Sequence, residues 1–431
     1  MKTKQNFILV IFAVVSFSCS TKNDSKITNK KDYDTYLNLS VNTSKIVAQK
    51  ELDFWENKLQ KQPSQYPYLG KIASANTMLF SSEGNIEYLV NAEQKLQKLN
   101  SKTEYKKSGS LRALARNYIS QHKFKEALEL VKKAEILGDN LKATQKMLFD
   151  IHLELGNYKE AESYLTKIKS FSDFDYLIRD SKWNDHMGDL DSAIHFMEKA
   201  TKIAESSNNT GLKIWAYTNL ADYYGHNNKI KKAYTFYLKT LKLDANNTYA
   251  KKGIAWIVYS YEKNPEEALR ILNTISKENL SPIYYLLKAE IAEFDNNLTN
   301  KNKNLEFYFS AVKNKLYGNM YNQYNIKLFL EEFDKKEEAL VIIKKEIQNR
   351  PTPQTYDLLA WYYFQKKDYQ KALELMNSYV VNKTFAPIAK YHLAEIYKVN
   401  GFTNKALKIK KELLESTFEL GPLMERRINN I

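Results

Sequence analysis

The six histidines of the chain, His122, His152, His186, His195, His226 and His392, are the first candidates for metal or acid–base chemistry. No two have the HExxH spacing that sets two ligands and a base on one helix face, so no metal site is expected. His152 reads as a packed ring rather than a ligand. No GxSxG string offers a strained nucleophilic serine, and the twelve glycines form neither GxGxxG nor GxxxxGKS/T, the turns that cradle phosphates. Adjacent carboxylates such as Glu266 with Glu267, or Glu331 with Glu332, point about 100° apart on a helix and are expected to be solvated rather than paired for catalysis. An enzymatic role and a cofactor are therefore not expected.

The one remaining reactive type is the thiol of Cys19, the only cysteine. It follows Lys2 and Lys4, an apolar run from Phe7 to Val15, and the small residues Ser16 and Ser18. That is the pattern of a cleaved export leader, too short for a spanning helix of roughly 20 apolar residues. Ser16-Phe17-Ser18-Cys19 resembles a bacterial lipobox, with Ser16 where leucine is commonest. The resemblance implies a signal peptide over 1–18, acylation of Cys19, and anchorage of the mature protein on an envelope membrane by lipid alone. Residues 19–46 are polar and are expected to be a flexible tether. Ser20, in place of aspartate, is similar to signals for onward transport to the outer membrane, with the membrane side left open.

What must position any binding groups is a repeat. Alanines recur at Ala127, Ala161, Ala193, Ala233, Ala268, Ala339, Ala372 and Ala406, at spacings of 34, 32, 40, 35, 71, 33 and 34. The value 71 is two periods, so a degenerate unit is expected over 282–315, where Tyr284, Leu287, Ile291 and Phe294 keep a helical apolar spacing. Upstream of most of these alanines lies a second small residue on an apolar helical face, as at Ala115, Ala221, Ala360 and Ala394. Two helices per period follow, since antiparallel helices approach closely only where side chains are small.

Leu111, Leu114, Ala115, Tyr118 and Ala127, then Tyr217, Leu220, Ala221, Tyr224, Ala233 and Tyr237, resemble the tetratricopeptide repeat, as do Tyr356, Leu359, Ala360, Tyr363 and Ala372. The resemblance implies an all-α superhelical solenoid of about nine or ten helical hairpins. An atypical capping unit over 47–106 is expected, then arrays over 107–281 and 316–415 on either side of the degenerate unit, and a cap over 416–431. The array is expected to be an elongated spiral whose distant stretches do not touch.

In such an array the first helix of each unit lines a concave groove. The resemblance places Arg112, Arg116, Lys146, Asp150, Lys182, Asp185, Trp215, Asp222, His226, Trp361 and Gln365 on it, a set mixed in sign. It implies a protein or peptide partner and a scaffold role. The formal charge of +15 invites a nucleic-acid reading, but lysines alternate with acids, as in Lys123, Lys125, Glu126, Glu129, Lys132 and Lys133. That is a solvated face rather than a phosphate track, and no nucleic acid is expected. The alternative is a glycan-binding lipoprotein similar to the SusD-type starch-binding proteins, using tyrosine and tryptophan for sugar stacking.

Overall fold

A computed structural model describes residues 26–39 and 41–431, and every regular element among them is helical. Cys19, the leader and the first residues of the expected tether lie outside the described residues. No helix of the described residues is long and apolar enough to cross a membrane.

From residue 67 the chain folds into ten successive helical hairpins, over 67–102, 108–137, 141–167, 174–206, 210–243, 248–278, 283–312, 322–349, 353–380 and 387–413. Two short helices, Thr417–Leu420 and Pro422–Asn429, follow the tenth hairpin in the stretch read as a cap. All eight register alanines are no more than 1% exposed, so each sits where its second helix crosses the first. The seventh hairpin covers the stretch read as a degenerate unit, with Lys301 three residues into its second helix, where hairpins two to six and eight to ten have alanine. Two close approaches depend on glycine. Phe418 lies against Gly225, where a Cβ would be 2.8 Å from the ring, and a methyl group on Gly253 would overlap the Tyr237 ring.

Two expectations are corrected. Residues 30–37, within the stretch read as a tether, form the helix Lys30–Leu37, and a second helix begins at Thr43. The first helix lies across the second helices of hairpins five and six as a strap. Glu262 accepts the backbone N–H groups of Ile27 and Thr28 at 2.9 and 2.6 Å and the Thr28 hydroxyl at 3.0 Å. Buried Tyr33 donates its hydroxyl to Glu267 at 2.9 Å, Lys30 pairs with the same carboxylate at 2.6 Å, and Arg270 bridges Glu267 and Asp34. Only Tyr33 and Leu37 are buried in this helix. Two apolar residues are too short a stripe to register as periodicity, and their partners lie some 200 residues away in sequence.

The second correction is that distant stretches touch. The turn inside hairpin one meets the loop after hairpin six, where Leu280 N–H donates to Glu83 O at 2.6 Å. The turns of hairpins two and three meet the loop after hairpin eight: Arg350 lies over Phe124, 5.2 Å from its centroid, and pairs with Glu154 at 3.6 Å. Gly188 of hairpin four packs on Phe385, and Gly225 of hairpin five on Phe418. Lys263 of hairpin six pairs with Glu425 at 2.7 Å. The small rotation between successive hairpins thus accumulates to a full turn after about six of them, and a second turn stacks on the first. No pairwise spacing rule encodes that pitch, which is why the repeat pattern alone left the spiral open.

Candidate functional site

The first helices of hairpins five to eight converge with the C-terminal cap around a cavity of about 690 Å³. Its titratable lining is Asp222 and His226 from Thr210–His226, Lys252 from Thr248–Trp256, Glu290 and Glu293 from Ile283–Phe294, Lys301, Lys327 and Glu331 to either side of Leu328, Glu332, and Glu419 and Arg427 from the cap. Apolar wall is supplied by Trp256, Ile283, Leu286, Leu287 and Leu423. Two other depressions, of about 540 and 760 Å³, are each bordered by neighbouring hairpins only and bring together fewer titratable groups.

The charges inside fall into two groups. On one side they neutralise each other. Lys301, at the missing alanine, pairs with Glu293 at 2.8 Å and Glu332 at 2.6 Å. Glu331 accepts Trp361 Nε1 at 3.1 Å and Arg427 at 3.0 Å. Burial alone would raise the Glu331 carboxyl, but Lys327, His392 and Arg427 outweigh it and hold it below the usual range.

On the other side carboxylates lack cations. Asp222 accepts the hydroxyls of Tyr237 at 2.5 Å and Tyr249 at 2.6 Å, and Glu290 accepts only Tyr259, at 3.3 Å. Among the described residues no lysine or arginine comes within ion-pair distance of Asp185, Asp222, Glu290 or Glu419. Burial pushes all four carboxyls up, with His226 drawing Asp185, Asp222 and Glu419 the other way. Glu290 is pushed up to about 7, with Glu293 adding to burial and Lys327, Tyr259 and Arg427 opposing it. A desolvated carboxylate without a counter-ion is stabilised by any cation that enters.

Of the residues expected to line the groove, Asp222 and His226 reach this cavity, and Asp185 lies close enough to act on Glu419. Four others, Arg112, Lys146, Asp150 and Lys182, form a ladder between adjacent first helices. Arg112 donates to Asp139 O and Thr144, Lys146 pairs with Asp173 and Asp175, Asp150 with Arg179, and Lys182 with Glu154. Arg116 is exposed and Gln365 half-buried. Trp215 is exposed, edge-on to Phe174. Trp361 is a correction. It is buried, stacked on His392 at 4.0 Å and on Phe364 at 4.5 Å, and so serves packing rather than the groove surface. The acids expected to be solvated are corrected too, since Glu267 holds the strap and Glu331 binds Trp361 and Arg427. His152, as expected, is a packed ring, stacked on Tyr164 at 5.6 Å.

Glu290, Glu293, Lys301, Lys327, Glu419 and Arg427 were missed because they lie in the degenerate unit, in hairpin eight, whose first helix lacks the repeat's tyrosine, and in the cap. The signal for one of them was present in the sequence: counted from the helix start, Lys301 falls on the alanine register.

Residues 216–247, most of hairpin five and the loop that follows it, match the family model of the tetratricopeptide repeat. A comparison with curated proteins gives no match. Among solved structures, a human IFIT1 dimer with m7Gppp-AAAA is similar at 14% identity and a TM-score of 0.46, over 76% of each chain. Yeast Tom70 is similar at 13% identity and a TM-score of 0.36, over 92% of this chain and 97% of that one.

Proposed function

We propose that the chain is a protein-interaction scaffold, held on a bacterial envelope membrane, the outer one, by a lipid on Cys19, and taking a protein or peptide partner in its inner cavity. The observation that carries the binding role is the lining of that cavity. In a chain of formal charge +15, it gathers six carboxylates against four lysines and arginines, with Asp222, Glu290 and Glu419 in no ion pair among the described residues. Such a lining favours a partner that inserts a basic side chain, and disfavours polyanions. The absence of an HExxH or nucleophile pattern in the sequence supports binding rather than bond-making.

The anchoring role is supported by the leader pattern and by the single thiol at its end. Two experiments test the proposal. Affinity capture from envelope extract compares the native chain with Asp222→Asn/Glu290→Gln/Glu419→Gln, and an unchanged set of captured proteins would remove the cavity from consideration. Mass spectrometry of the N-terminal peptide reads the acyl groups, and Cys19→Ser is expected to move the protein into the soluble fraction.

A further inference from the structure

The strap changes how much chain separates Cys19 from the folded body. With residues 19–46 as a free tether, the body would range over roughly 90 Å from its anchor. The structure instead fixes residues 27–37: Ile27 and Thr28 are held by Glu262, Asn29 N–H donates to the Tyr234 hydroxyl at 3.2 Å, and that hydroxyl donates to Asp32 at 3.0 Å. Tyr33, 1% exposed, closes the strap against Glu267. Seven residue steps remain between Cys19 and Lys26, at most about 25 Å when fully extended. The strap begins at the turn of hairpin six, beside Glu262, and leaves at the opposite edge of hairpin five, where Thr43 N–H donates to Asn246 at 3.2 Å. The exit of the N-terminal segment is therefore a single defined point on the body, flanked by exposed Lys26 and Lys31.

We infer that the strap orients the scaffold on its membrane: the face around Glu262 and Tyr234 is the lipid-facing surface, held within about 25 Å of the acylated sulfur. This rests on the lipid-anchor reading proposed above. Lipid affinity comes from the acyl chains, and the strap converts it into orientation, so the same anchor on an unfastened segment would leave the body free to tumble. The opposite edge of the first turn, where Ile136 is 87% exposed at the end of Phe124–Leu137, faces away from the bilayer.

The test uses the full chain, processed in its host and reconstituted into phosphatidylethanolamine–phosphatidylglycerol vesicles carrying an acceptor-labelled lipid. Once Cys19 is acylated, an introduced cysteine is the only free thiol, so donor dyes are placed singly at Lys231→Cys, one helical turn before Tyr234, and at Ile136→Cys. Energy transfer to the lipid is expected to be roughly twofold or more higher from the first site than from the second. Adding Tyr33→Ala and Glu262→Ala, which unfasten the strap, should bring the two sites to similar, lower transfer. Intact mass of the N-terminal peptide is read on the same sample. Acylated protein with equal transfer from both sites in the fastened chain overturns the orientation and leaves the anchor standing. Protein with an unmodified Cys19 overturns the anchor, and the orientation falls with it. The two-site comparison needs no strap variant, so misfolding of Tyr33→Ala/Glu262→Ala cannot mask the result.

Discussion

Replacing Glu267 by glutamine isolates the charge at the centre of the strap. Burial alone would raise this carboxyl, but the hydrogen bonds from Arg270, Lys30 and Tyr33 outweigh burial and hold it at about 2 instead of 4.5. That difference corresponds to about 3 kcal/mol of stabilisation at neutral pH, counted once for the carboxylate and its partners together. The side chain is only 5% exposed, so solvent screening removes little of it. The sign follows from the depressed value: the stabilisation is complete above pH 4.5 and is lost as pH falls through about 2. Glu267→Gln keeps the shape and one acceptor but not the charge, leaving Arg270 with Asp34 alone and weakening the hold on the Tyr33 hydroxyl. Opening of residues 27–37 should become easier by about 2 to 3 kcal/mol, which speeds their amide exchange by roughly 30- to 150-fold at pH 7. Hydrogen exchange read by mass spectrometry on the peptide covering those residues checks it. Exchange unchanged within threefold, or a strap that opens in the native chain near pH 6, would refute the reasoning.

Gly253→Ala places a methyl group on the Tyr237 ring and should cost about 1 to 3 kcal/mol by overpacking, seen as a lower denaturant midpoint, because the ring cannot retreat without releasing Asp222. Glu290, raised to about 7, binds a proton more tightly folded than unfolded, so its contribution is full below pH 4.5 and lost as pH rises through 7. The native chain should therefore lose up to about 3 kcal/mol between pH 4.5 and 8.5, and Glu290→Gln should flatten that decline in parallel urea titrations. Lys301→Ala restores the repeat's own register residue yet strands Glu293 and Glu332, and is expected to lower stability by about 1 to 3 kcal/mol, with the loss reversed in the triple variant that adds Glu293→Gln and Glu332→Gln.

The hairpins were legible in the sequence because each alanine that permits a crossing is a local fact, repeated at a fixed spacing. Ala127, Ala233 and Ala372 sit in their crossings as the spacing requires. The strap was not legible, since its helix has two buried residues and is made stable by Glu262, Glu267 and Arg270 from a distant part of the chain. The stacking of the second turn was equally hidden, because Arg350 and Phe385 occupy loops and Phe418 the C-terminal cap, none of which follows a repeat rule. The groove residues were half legible. The repeat pattern led to Asp222 and His226, which border the cavity, but it could not show that Lys146, Asp150 and Lys182 are consumed by neighbours or that Trp361 turns into the core.

These misses share a cause that bears on where the protein binds. The inner charges of hairpins two to four are used to hold neighbours and close on each other across adjacent helices. A repeat that departs from the pattern frees positions for something else. Departures at Leu89 of hairpin one, His152 of hairpin three and Asn184 of hairpin four lie elsewhere, but three fall together: a lysine at the alanine of hairpin seven, a hairpin eight without the usual tyrosine, and a cap that sends Glu419 and Arg427 inward. All three border one cavity. Their convergence on uncompensated carboxylates, in a chain that is basic elsewhere, is what a binding function at that place requires.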